Sequence, residues 1–89
     1  MLCNIADLRN KQVVSVDTGM VLGYINDIEI ETDTGEIASV VIYGKTKYLG
    51  LLGKENDIII PFKNIQVIGE ETILVKGPIS FKNEKRKIF

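Results

Sequence analysis

The chain has 89 residues, a formal net charge of −1, one cysteine and no histidine. That length holds one domain and no second. The charge exerts no overall pull on nucleic acid or anionic lipid, and the Cys/His content excludes an intrachain disulfide and a Cys/His zinc site. A hydrophobic fraction of 45% suits a folded chain, and no apolar run reaches membrane-spanning length. Small domains bury a modest share of their surface, so packing has little margin unless self-association adds to it. The start, Met1-Leu2-Cys3-Asn4, lacks the basic-then-apolar layout of a secretory signal, and with a lone thiol the expected compartment is the cytoplasm.

Taken in order, Ile5 to Arg9 reads as one helical turn, with Asn4 as its N-cap and Ile5 and Leu8 facing inward. A first strand is expected over residues 12–16, and Asp17-Thr18-Gly19 turns the chain. The second strand, 21–31, is the longest. Its later part alternates Ile28 and Ile30 against Asp27, Glu29 and Glu31. Gly23 interrupts its early part and marks a bulge or sharp bend, as a strand coiling round a small barrel requires. Thr32-Asp33-Thr34-Gly35 is a hairpin turn with Gly35 left-handed, and the third strand covers 36–43.

The next connection is unusual. Tyr48, Leu49, Leu51 and Leu52 stand among Gly44, Gly50 and Gly53, where polar residues are expected. Four large apolar side chains there either fold back on the chain's own core or meet a second chain. Strands follow over 58–61 (ended by Pro61), 65–68 and 72–76. Six short strands with evenly spaced turn signals predict an all-β protein, a small antiparallel barrel or sandwich with a meander as its simplest topology. The barrel is expected over residues 1–76, with 77–89 as a basic and apolar tail of unfixed conformation.

Candidate sites are few. Asp27, Glu29 and Glu31 make an acidic strand face, but same-face residues stand about 6–7 Å apart, too far to close on one cation. A solvated face that discourages foreign strand pairing fits better. The tail charges Lys82, Lys85, Arg86 and Lys87 suit nucleic acid or the acidic face of a second subunit. Gly44, Gly50 and Gly53 do not lead into a helix, so they do not build a phosphate loop. Catalytic material is thin: Cys3 has no evident base, and no pair of carboxylates is placed in a dry cleft. No cofactor is implied.

The order Gln12-Val13-Val14, Leu22-Gly23-Tyr24-Ile25-Asn26-Asp27, Asp33-Thr34-Gly35-Glu36-Ile37 and Ile59-Ile60-Pro61-Phe62 resembles the PRC-barrel domain. Within it, Tyr48-Leu49-Gly50-Leu51-Leu52-Gly53-Lys54-Glu55 looks like the short, single-domain YlmC/YmxH group linked to sporulation. The resemblance covers residues 4–76; beyond Gly77 the chain departs from it. It implies a partly open barrel acting as a non-enzymatic protein-interaction module, expected to form a homodimer through Tyr48, Leu49, Leu51 and Leu52. The alternative is an RNA- or ribosome-associated adaptor, since a related domain forms one end of a ribosome maturation factor. A small-molecule sensor is a third class, and it needs a pocket beside the apolar connection.

Overall fold

The computed structural model describes residues 2–44 and 56–82. One helical turn, α1 (Ile5–Arg9), precedes eight strands: β1 (Gln12–Ser15), β2 (Val21–Tyr24), β3 (Asp27–Ile30), β4 (Ile37–Ile42), β5 (Asp57–Pro61), β6 (Ile65–Ile68), β7 (Thr72–Val75) and β8 (Ser80–Lys82). They form two four-stranded sheets, ordered β2-β1-β7-β6 and β3-β4-β5-β8. The two sheets do not close on each other, so the architecture is the expected all-β, partly open barrel.

Local chemistry accounts for most of the boundaries. Asn4 caps α1 through its Oδ1, which accepts from the Asp7 N–H at 2.8 Å. Gly35, at φ +77°, donates to the Glu31 carbonyl at 2.7 Å and turns β3 into β4. Pro61 ends β5, and a 3-10 turn over Phe62–Asn64 leads into β6.

Three features differ from the sequence reading. The long second strand is two strands, β2 in one sheet and β3 in the other, and the chain crosses between them at Ile25-Asn26, just past Gly23 with its φ of +131°. A Cβ at Gly23 would stand 3.0 Å from Ile42 Cγ2, so only glycine lets β2 approach β4 so closely. Second, the connectivity is more than a meander: β1 pairs in parallel with β7, Gln12 to Ser15 opposite Thr72 to Val75. Third, the chain after Gly77 adds β8, antiparallel to β5 with Phe81 opposite Ile58.

The core is aliphatic. Val13, Ile25, Val40, Ile60, Ile73 and Val75 are its largest fully buried side chains, and they draw on both sheets and on the Ile25 corner between them. Each contributes roughly 1.5–3 kcal/mol of burial. Leu8 seals one end, but Ile5, expected to face inward, is 54% exposed because a single helical turn presents only one position to the core. Ile30 is likewise exposed, since the β3–β4 register shifts between Glu29 and Ile30 and breaks the alternation.

Gly23→Ala is expected to destabilise the fold by about 1–3 kcal/mol from the backbone conformation alone, with further cost from the Ile42 contact. Urea denaturation checks this: the midpoint should fall with little change in slope. A midpoint equal to that of the parent would show that the corner tolerates a side chain.

Candidate interaction surface

The apolar connection leaves the barrel at Gly44 and returns at Asn56, and both feet are held by side chains. Asn26 Oδ1 accepts from the Tyr43 N–H at 2.8 Å, and Asp57 Oδ1 accepts from the Gly44 N–H at 2.7 Å. The Tyr43 hydroxyl donates to Asp27 Oδ2 at 3.3 Å. Beyond Ile42 the backbone N–H groups thus bond to side chains of β5 and of the β2–β3 corner, which fixes where the connection departs. Tyr48, Leu49, Leu51 and Leu52 themselves lie outside the described residues, as do Lys85, Arg86 and Lys87.

Beside these feet runs a trough, mixed in polarity around Gln12, Asn26 and Asn56 and mainly apolar around Met20, Ile79 and Phe81. Two depressions of about 430 and 440 Å³ share Val21, Leu22 and Ile58. One extends past Gly23 and Tyr24 to Gly44 and Asn56; the other extends past Met20 to Ile79 and Phe81. The trough lies where β2 ends one sheet and β8 ends the other, so it follows the gap that the barrel leaves open. Met20, Val21 and Phe81 on its walls are 62%, 54% and 60% exposed. Its sole charged lining residue, among the described residues, is Asp17.

The far wall depends on how the chain passes Gly77. Gly77, at φ +98°, donates to Asp17 Oδ2 at 2.9 Å, and Asn64 Nδ2 donates to the Pro78 carbonyl at 2.8 Å. These two contacts steer the chain from β7 across the barrel end so that Ile79 packs on the core and Phe81 is left outside. Sequence reasoning missed this surface because its residues come from four separated stretches, around Val21, Ile42, Ile58 and Phe81. Met20-Val21-Leu22 beside a glycine, and Ile79 and Phe81 beyond Gly77-Pro78, were the available signals.

The acidic face is arranged for structure. Glu29 accepts from the hydroxyl of buried Ser39, its cross-strand neighbour, and Asp27 Oδ1 accepts from the Ile28 N–H at 2.8 Å. Among the described residues no three of His, Cys, Asp or Glu stand together as a metal site. No described helix is long and apolar enough to cross a membrane.

The comparisons with known proteins agree with one another. A family model described as "PRC-barrel domain" matches residues 3–82, which takes in β8. A probable sporulation protein of Bacillus subtilis (strain 168), YlmC, is 43% identical over 75 residues, covering 84% of this chain and 93% of that protein. An uncharacterized protein of Clostridium acetobutylicum is 36% identical over 77 residues, 86% of this chain and 87% of its own length. The uncharacterized protein YmxH of Bacillus subtilis (strain 168) is 30% identical over 76 residues, 83% of this chain and 88% of its own length.

Asn26→Ala removes the acceptor that holds the Tyr43 N–H and is expected to cost about 1 kcal/mol. Amide exchange followed by NMR should quicken at Tyr43 while Ile60, in the core, stays slow. Equal protection at Tyr43 in parent and variant would show that Asn26 does not hold the foot of the connection.

Proposed function

The chain belongs to the PRC-barrel domain family, and from that premise we propose that it is a non-enzymatic protein-interaction module that binds a second copy of itself. The observation that carries this reading is the exposed trough, mainly apolar from Met20 to Phe81 and mixed in polarity where it reaches the feet of the Leu-rich connection. Contiguous exposed apolar surface on a small domain usually marks a contact site. Tyr48, Leu49, Leu51 and Leu52 stand in the sequence between Gly44 and Asn56, two residues that line the trough.

The magnitudes suit a homodimer. Burying four such side chains yields roughly 1.5–3 kcal/mol each, and a two-fold axis doubles the sum. That can offset an association cost on the order of 4–15 kcal/mol. The similarity to a probable sporulation protein supports a sporulation-linked role, and we place the protein in the cytoplasm because a single cysteine suits a reducing compartment.

Replacing Leu51 and Leu52 together by Asp is expected to convert a dimer to a monomer with the barrel still folded. Sedimentation equilibrium reads the mass, and far-UV circular dichroism reads the fold. A wild-type chain that is monomeric at high concentration contradicts the self-association.

A further inference from the structure

Where α1 meets the corner between the sheets, a depression of about 280 Å³ is lined by Arg9, Asn10, Tyr24 and Asn26, with Ala6 and Ile25 completing its walls. Among the described residues no carboxylate lines it. Asp7, on the same helical turn, lines a different depression with Lys11 and Glu70. Every polar side chain here can donate: a guanidinium, two amides and a phenol. Asn26 Oδ1 is committed to the Tyr43 N–H at 2.8 Å, so its Nδ2 is the end left for a ligand. Among the described residues the side chains of Arg9, Asn10 and Tyr24 make no hydrogen bond that would occupy them. Arg9 stands in the last turn of α1, where a cation complements the helix dipole. That helix has only five residues, however, and its Asp7 and Leu8 carbonyls already accept from the Asn10 and Lys11 N–H groups at 3.2 Å. Little negative charge at the helix end is left for Arg9 to meet.

We infer that this depression binds the phosphate head of a monoester. One positive charge among donors selects an anion, and the planar fork of an arginine matches oxyanions with two parallel hydrogen bonds. The donor set decides between oxyanions. A carboxylate has roughly four lone-pair sites, and the Arg9 fork together with three further donor side chains exceeds them. A phosphate monoester brings a third acceptor oxygen and a charge of about −1.5 to −2 at pH 7. Size points the same way. Pockets that enclose a drug-sized ligand run to ~300–1,000 Å³, so this one holds the charged head and leaves the rest of the ester outside. The Tyr24 ring, 50% exposed, stands beside that exit. A small ester and a phosphorylated side chain present the same head. The site adds a ligand to the domain and does not depend on the self-association proposed above.

The test titrates the full chain with phenyl phosphate, followed by amide NMR at about 0.15 M salt, where loose surface attraction is largely screened. Saturable shifts are expected at Arg9, Asn10 and Tyr24 to Asn26. Arg9→Ala, at an exposed position, should weaken binding at least tenfold. Asn26→Asp separates binding from structure. Its carboxylate can still accept from the Tyr43 N–H, but it loses the donor and sets a negative charge against the phosphate. Binding should therefore fall at least tenfold while amide exchange at Tyr43 keeps the parent's rate. Benzoate should bind at least tenfold more weakly than phenyl phosphate. An acetylated phosphoserine peptide identifies the source: binding tighter than phenyl phosphate assigns the head to a phosphorylated protein, and weaker binding assigns it to a small ester. Absence of saturable shifts at these residues overturns the inference, as does parent-like binding by Asn26→Asp or Arg9→Ala. Benzoate that binds as tightly as phenyl phosphate overturns the choice of phosphate. Each of these failures leaves the self-association reading standing, since sedimentation of the Leu51 and Leu52 variant tests that separately.

Discussion

The close approach of Gly23 to Ile42 is the constraint from which the rest of the architecture follows. At φ +131° and without a Cβ, Gly23 lets β2 lie against Ile42, a core side chain of β4, just before the chain crosses to the other sheet at Ile25-Asn26. Ile25, two residues on, becomes the corner of the core, and Asn26 comes within bonding distance of the Tyr43 N–H. The same bend leaves the outer edge of β2 facing β8 across an open gap. Packing, the anchoring of the apolar connection and the trough therefore share one origin.

Within one sheet the parallel pairing of β1 with β7 ties the first strand to the last part of the barrel. Val13 and Ile73 face each other there and are both fully buried. Asp17 and Asn64 then carry that order outward by holding Gly77 and Pro78, so that the chain reaches β5 as a further strand. A chain this small thus spends its few polar side-chain contacts on directing connections, and its aliphatic residues on one interior.

Much of the fold was legible in the sequence because it rests on local signals. The cap at Asn4, the turn at Gly35 and the stop at Pro61 each depend on residues within a few positions of one another. The bend at Gly23 was legible as a bend, but not as a close approach to Ile42 just ahead of the crossing between sheets. The parallel β1–β7 pair carries no local signature, and β8 is only three residues long. Of the interaction surface, the Leu-rich connection is visible as a run of misplaced apolar residues. The trough beside it is not, since Val21, Ile58 and Phe81 meet only once the strands are paired.

The proposed self-association covers the open seam of this barrel with a second copy of the chain. Hydrogen–deuterium exchange read across a concentration series addresses it in one experiment. Protection at residues 20–24, 44–56 and 79–82 should rise with concentration while Val13, Ile60 and Ile73 remain protected throughout. Protection at the seam that is the same from the lowest to the highest concentration would contradict it.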